Sequence, residues 1–282
     1  MPEAPYFAEI VPDGPEAQTA WIKADDGVRL RVGVWSANAG PKGTLLMFPG
    51  RTEYIEKYAA VAGDMARHGI TVMAIDWRGQ GISDRLLDDP LPGHVQRFPD
   101  YQRDVAACVA EAKAQNLPKP WFVLGHSMGG AIGLRAVMEG LPVTSAAFSG
   151  PMWGIAASPW LRPVMWVLSF LSRLVGLSHR YPPTTSGPVP YPLSEPFETN
   201  MLTRDADQYQ LMRDQFTARP ALKVGAPSLN WLYEALSETR GLSHRASPDL
   251  PCLTIMGSDE AIVDQARIRT RLAQWPGSTL HV

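Results

Sequence analysis

The spacing of apolar and polar residues divides most of the chain into short strands that alternate with helices. Unbroken apolar runs at residues 44–48, 71–75 and 121–124 predict strands that are buried on both faces. Amphipathic patterns at residues 55–68 and 101–115 predict helices between them. This alternation favours an α/β fold with a mostly parallel, doubly wound sheet.

The pattern begins with two antiparallel strands and returns near the C-terminus. Residues 19–23 and 28–35 are joined by Asp25-Asp26-Gly27, which is typical of a hairpin turn. Later, we expect strands at residues 143–149, 252–256 and 277–282, with a helix at 264–274. Residues 1–150 and 241–282 are therefore predicted to form one core.

Between residues 151 and 240 the strand pattern stops. This segment is rich in Pro, Trp and Met and carries several helical patterns, so we expect a helical cap inserted into the core. An insertion between parallel strands lies over their carboxyl ends, where ligands bind. Residues 160–177 contain Arg162, Pro163 and Arg173, which favours an amphipathic helix over a membrane span.

Charge and cysteine content narrow the function only slightly. A net charge of −2 gives no indication of nucleic-acid binding. Cys108 and Cys252 are expected to be buried thiols rather than a disulfide. The N-terminus is acidic and shows no signal-peptide pattern. We therefore expect a cytoplasmic protein, with any membrane contact limited to transient, peripheral contact of the cap with the inner membrane.

The chemical signal lies in Gly125-His126-Ser127-Met128-Gly129, which has the form G-x-S-x-G. A predicted strand precedes it and a predicted helix follows it, the context in which this motif holds a nucleophilic serine on a sharp turn. The N–H of Met128, at the start of that helix, is one expected oxyanion donor. The loop after the strand at 44–48 should supply the second, and the backbone of Arg51 is the candidate.

Asp76 and Arg78 follow the strand at 71–75 and could also be read as catalytic. Carboxylate–arginine pairs commonly clamp loops. We therefore interpret them as a structural ion pair beside the active site.

Taken together, the PGR loop, DWRGQGIS, GHSMGG and GSDEAIVD resemble the α/β-hydrolase superfamily, within it the lysophospholipase and monoacylglycerol lipase group, which is catalogued with serine aminopeptidase-type hydrolases. The PGRTEYIEKY segment resembles the bacterial lysophospholipase L2 branch. The resemblance assigns Ser127 as the nucleophile and the Arg51 and Met128 backbones as oxyanion donors. It assigns Glu260 as the triad acid, with Asp259 as the alternative.

The same resemblance implies a histidine base after the acid, and of the six histidines only His281 follows Glu260. His281 lies in the predicted last strand, whereas the family's histidine lies in the loop beyond it. We therefore expect the chain to end before its base, with His281 as the alternative. On this view a form extended through a C-terminal histidine would hydrolyse short acyl esters much faster.

The sequence thus predicts a serine hydrolase that cleaves carboxylic esters of lipid-like substrates, either lysophospholipids or monoacylglycerols. The resemblance implies neither a metal nor an organic cofactor, and the partner is a small acyl ester. Two alternatives stay open: a peptidase of the proline-iminopeptidase kind, and an inactive hydrolase-fold fragment or binding protein. The acyl length, the head group and the oligomeric state are not predicted.

Overall fold

A computed structural model describes residues 2–12, 14–38, 40–183 and 185–282. In these residues eight strands form one sheet, in the order β1-β2-β4-β3-β5-β6-β7-β8. β2 runs antiparallel to β1 and to β4, and the other neighbours are parallel. The strands are β1 Gln18–Lys23, β2 Arg29–Trp35, β3 Gly43–Phe48, β4 Ile70–Asp76, β5 Trp121–His126, β6 Ser145–Ser149, β7 Cys252–Ile255 and β8 Ser278–His281.

Eight helices accompany the sheet in the same residues. They are α1 Ala59–Arg67, α2 Tyr101–Ala114, α3 Met128–Met138, α4 Leu161–Leu174, α5 Tyr191–Ser194, α6 Ala206–Ala218, α7 Leu229–Ser243 and α8 Gln265–Ala273. Short 3-10 turns lie at Ala8–Ile10, Ile55–Tyr58, Phe98–Asp100, Phe197–Thr199 and Pro220–Leu222. The predicted mostly parallel α/β fold is confirmed.

Alternate residues of each central strand enter different layers of the core, because successive side chains point to opposite faces of a sheet. On β3, Leu46 and Phe48 join the cluster that contains α2, α3 and α8. Leu45 and Met47 join a second cluster with α1. The central strands are therefore apolar along their whole length, as the sequence pattern indicated.

Asp76 and Arg78, in and after the end of β4, belong to separate sets of ion pairs, so the expected pairing of Asp76 with Arg78 is wrong. Asp76 accepts from Arg31 at 2.8 Å, whereas Arg78 pairs with Asp104 at 2.7 Å and with Asp26 at 2.8 Å. Both side chains are buried and hold loops in place. The interpretation of Asp76 and Arg78 as structural residues is therefore right, but their ion-pair partners were not predicted.

Residues 150–251, between β6 and β7, hold α4 to α7 and no strand in their described part. Serines of α4 face inward, since Ser169 and Ser172 are buried. Most of its apolar side chains face solvent. The exposed ones in and beside the helix are Trp160, Val164, Val167, Leu168, Phe170, Leu171, Leu174, Val175 and Leu177. Of the helices in the described residues, none has the length and hydropathy to cross a membrane.

Candidate active site

Ser127 occupies the sharp turn between β5 and α3. Its backbone angles are φ 49° and ψ −116°, a region that side-chain-bearing residues rarely adopt. The turn is held by its own backbone, because Ser127 N–H donates to the Ser149 carbonyl at 3.0 Å and Gly130 N–H donates to the Ser127 carbonyl at 2.8 Å. The strained serine therefore has a fixed backbone and a half-buried side chain at the carboxyl edge of the sheet.

The atoms packed around the glycines next to Ser127 leave no room for a side chain at these positions. A Cβ on Gly125 would lie 2.6 Å from the Gly129 carbonyl oxygen, and one on Gly129 would lie 2.0 Å from the Phe48 carbonyl oxygen. A Cβ on Gly130 would lie 2.5 Å from Cβ of Pro151. The close packing of β3, β5 and α3 is the physical reason for the glycines of the motif.

Two backbone N–H groups beside this turn are free to bind an oxygen. Neither Arg51 N–H nor Met128 N–H donates a hydrogen bond to any described residue. The two segments are tied together by Gln80, whose amide donates to Met128 Sδ at 3.6 Å and whose carbonyl oxygen accepts from Thr52 N–H. Unbonded, fixed N–H donors beside a nucleophile are what an oxyanion hole requires.

The loop after β3 is also held by a buried carboxylate. Glu53 accepts hydrogen bonds from Gly50 N–H, Tyr58 and Lys57. Burial raises the pKa of Glu53, but the charges of Lys57 and His126 and these hydrogen bonds outweigh it and lower the pKa to about 2. Glu53 is therefore ionised at neutral pH and fixes the backbone that carries Arg51. Sequence analysis missed it, although Lys57 four residues later was a usable signal.

Glu260 lies in the loop after β7, and its two carboxylate oxygens have different surroundings. Oε1 accepts from Ile262 N–H at 2.7 Å and from Val263 N–H at 3.0 Å. Oε2 accepts from no described residue, and it would lie 3.3 Å from a Cβ built on Gly150, just after β6. Asp259, the alternative acid, is 72% exposed and lies 3.5 Å from Arg204.

The structure brings no imidazole of the described residues into hydrogen-bond contact with Ser127 Oγ. His126 Nδ1 contacts the Ser149 carbonyl at 3.0 Å, and its Nε2 lies 3.7 Å from Glu53. His281 ends β8 opposite Ile255, and the side chains of both residues are exposed. The ring of His281 makes no hydrogen bond with a described residue.

Two cavities border this edge of the sheet. One of about 490 Å³ is lined by Arg51 and by residues of the inserted segment, and one of about 270 Å³ is lined by Glu260 and Asp259. Within the described ranges, no three His, Cys, Asp or Glu side chains are grouped so that they could hold a metal ion.

A serine on a strained strand-to-helix turn, at the carboxyl edge of this mostly parallel sheet, defines the α/β-hydrolase fold. The chain belongs to the family described as serine aminopeptidase, S33, which matches residues 39–282.

Two curated relatives and one solved structure illustrate the similarity. Lysophospholipase L2 of Escherichia coli (strain K12) is 33% identical over 232 residues, which are 78% of this chain and 64% of that protein. The chain therefore matches less than two thirds of that relative's length. The probable lysophospholipase L2 of Haemophilus influenzae is 25% identical over 291 residues, covering 100% of this chain and 90% of the relative.

The solved structure is a soluble variant of monoglyceride lipase from Saccharomyces cerevisiae in complex with a substrate analogue. It superposes with a TM-score of 0.68 and 20% identity, over 99% of this chain and 89% of that one. This likeness supports the fold.

Proposed function

We propose that the protein is a serine hydrolase that cleaves carboxylic esters of lipid-like substrates, lysophospholipids or monoacylglycerols, through an acyl-enzyme on Ser127. The observation that carries the proposal is the strained Ser127 turn beside two backbone N–H groups that no described residue uses. The names of the relatives, lysophospholipase L2 and monoglyceride lipase, favour lipid esters.

The proposed reaction uses these groups together with an imidazole base, which the described residues do not bring to Ser127 Oγ. Ser127 Oγ attacks the ester carbonyl while an imidazole takes its proton, and the N–H groups of Arg51 and Met128 stabilise the oxyanion. The imidazolium returns the proton to the departing alcohol, and water then releases the fatty acid from Ser127. Glu260 is suited to orient the imidazole, because its Oε1 is held by two backbone donors and its Oε2 has no donor among the described residues.

Hydrolysis of lysophosphatidylethanolamine and monoacylglycerol tests the proposal. In a form that carries the histidine base, Ser127→Ala should lower kcat/KM by about 10⁴-fold or more, because the oxyanion donors alone retain only part of the catalysis. Ser145→Ala, at the opposite end of β6, is the control and should keep the wild-type rate. A rate in Ser127→Ala within tenfold of the wild type would refute the proposal.

His281→Ala, measured in the same assay, tests whether His281 is the catalytic base. His281 is the described histidine that follows Glu260, but it lies within β8 rather than in a loop after it. We expect the rate to stay within about twofold of the wild type. A loss as large as that of Ser127→Ala would instead assign His281 as the base.

A peptidase is the second candidate, because the family is described as a serine aminopeptidase. It would use the same Ser127 but attack an amide. Cleavage of an aminoacyl-proline amide without cleavage of a monoacyl lipid would favour the peptidase over the esterase. Binding of either substrate without turnover would favour a non-catalytic binding protein.

We also propose that the inserted segment is a cap that contacts lipid surfaces through α4. Its exposed residues Val164, Val167, Leu168, Leu171, Leu174 and Val175 recur every three or four positions and form one stripe. Burying such a stripe at a lipid interface removes apolar surface from water. The buried serines on the other side of α4 pack toward the protein, so the stripe has no cover among the described residues.

Leu171→Glu combined with Leu174→Glu tests this contact. Binding to vesicles of phosphatidylethanolamine and phosphatidylglycerol should weaken at least about tenfold, because two exposed leucines could no longer enter the apolar layer. Gln208→Glu with Thr217→Glu adds the same charge to exposed positions of α6 and is the matched control. Equal weakening in both double variants would point to charge alone and contradict a role for the stripe.

A further inference from the structure

The side chain of Arg51 extends from the loop after β3 into the inserted segment. Its Nη1 donates to the Gly225 carbonyl at 2.9 Å, and its guanidinium lies 5.6 Å from the centre of the Trp231 ring. No carboxylate of the described residues lies within ion-pair distance of it. Arg51 is therefore a cation whose described partners are one carbonyl and one aromatic ring.

Such a cation is unfavourable without an anion. Burial lowers the pKa of Arg51 to about 10, so the guanidinium keeps its proton at neutral pH. Arg51 is half-buried, and a charge partly withdrawn from water costs free energy unless an opposite charge compensates it. Guanidinium groups bind phosphate with particular geometric fit, through paired N–H donors. Arg51 is thus suited to an anionic ligand.

Arg51 lines the cavity of about 490 Å³, and a second charged residue faces the same space. Glu195 and Tyr191 also line this cavity. Among the described residues, the carboxylate of Glu195 accepts from the Thr199 hydroxyl and forms no ion pair. The cavity therefore offers one cation and one anion that do not neutralise each other, and its volume is that of a small-molecule site.

We propose that this cavity binds the zwitterionic head group of a lysophospholipid, with the phosphate on Arg51 and the ammonium beside Glu195 and Tyr191. A carboxylate and an aromatic face both attract an alkylammonium group. The inference rests on the proposed ester hydrolysis and names its substrate class. It also separates the two lipid classes, because a monoacylglycerol has no charge to offer either residue.

The position of Arg51 connects head-group binding to the reaction. Its backbone N–H is the proposed oxyanion donor, and its side chain reaches the cavity. A phosphate held by the side chain would therefore place the ester of the same molecule near Ser127. Remote binding of this kind raises the rate by fixing the orientation of the reacting group.

Isothermal titration with deacylated head groups tests the site without requiring turnover. The probes are glycerophosphoethanolamine, glycerol 3-phosphate and glycerol. Arg51→Gln should weaken binding of both phosphates at least about tenfold, because a charged hydrogen-bonded pair is lost. Glu195→Gln should weaken glycerophosphoethanolamine and leave glycerol 3-phosphate as tight or tighter. Arg180→Gln, an exposed arginine of the same segment, is the control.

Wild-type affinity for the phosphates in Arg51→Gln, or equal binding of glycerol and glycerol 3-phosphate, would overturn the proposal. Equal losses for both phosphates in Glu195→Gln would overturn the ammonium assignment. Kinetics give an independent readout: Arg51→Lys and Arg51→Gln should progressively lower the ratio of kcat/KM for lysophosphatidylethanolamine over monoacylglycerol. Head-group binding without ester cleavage, in a form that carries the histidine base, would refute the hydrolase and leave this site standing.

Discussion

Two neighbouring loops at the same edge of the sheet each place an arginine beside the candidate active site, but only one of the two arginines has a carboxylate partner. After β4, Arg78 pairs with Asp104 and Asp26, and although burial lowers the pKa of Arg78, these carboxylates raise it above the usual value. After β3, Arg51 has no carboxylate among the described residues, and burial lowers its pKa to about 10.

The difference separates a structural charge from one that is available to a ligand. Arg78 connects β4 to α2 and to the turn before β2, so its partners are fixed when the chain folds. Arg51 contacts a carbonyl and an indole, and neither of these neutralises a cation. Proximity to the candidate active site is therefore a weaker indication of function than a missing counter-charge.

The largest difference expected between the two arginines is in their contribution to the free energy of unfolding. Arg78→Leu should lower the free energy of unfolding by about 3–5 kcal/mol, because it leaves the buried Asp104 carboxylate without its partner. Arg51→Leu, the matched change in the other loop, should lower it by less than about 1 kcal/mol, since no buried anion is left behind. Urea unfolding followed by tryptophan fluorescence measures both.

Similar losses for the two leucine variants would show that Arg51 has a structural role as large as that of Arg78, and the contrast would fail. Arg103→Leu is a control for surface charge. Its ion pair with Asp25 is exposed and should contribute less than about 1 kcal/mol.

A smaller effect concerns Glu53, the carboxylate in the loop after β3 whose charge is paired with Lys57. Because folding lowers its pKa from 4.5 to about 2, its ionised form stabilises the fold above about pH 4.5, and this stabilisation is lost as the pH falls toward 2. The wild type should lose roughly 3 kcal/mol more than Glu53→Gln between pH 5 and pH 2. Unfolding curves across this range measure the difference.

Glu198 is exposed, so Glu198→Gln is the control, and its free energy of unfolding should depend on pH as that of the wild type does. Parallel pH profiles for the wild type and Glu53→Gln would mean that Glu53 is not the carboxylate that fixes this loop.

The sequence was most informative where local rules dominate. The strands, the turn at Ser127 and its glycines follow from periodicity and close backbone packing, and the structure contains them. The partners of Asp76 could not be read in the same way, because Arg31 lies 45 positions away in the chain. A tertiary ion pair depends on which strands become neighbours, and local pattern does not specify that.

The helix α4 shows a second limit. Its periodicity correctly predicted an amphipathic helix, but apolar residues are ordinarily expected to face inward. Here Trp166 and Phe170 contact Tyr233 of α7, whereas the apolar stripe of α4 faces solvent. Periodicity identifies the apolar face of a helix, but it does not identify the element or surface that this face contacts.

The most direct test of the central claim, that Ser127 is the nucleophile, is covalent labelling with a fluorophosphonate followed by peptide mass spectrometry. In a form that carries the histidine base, a serine hydroxyl held beside an oxyanion hole should form a phosphonyl adduct, whereas ordinary serines do not react. The account predicts a single adduct on Ser127 and none in Ser127→Ala. An adduct on another serine, or unchanged labelling of Ser127→Ala, would contradict it.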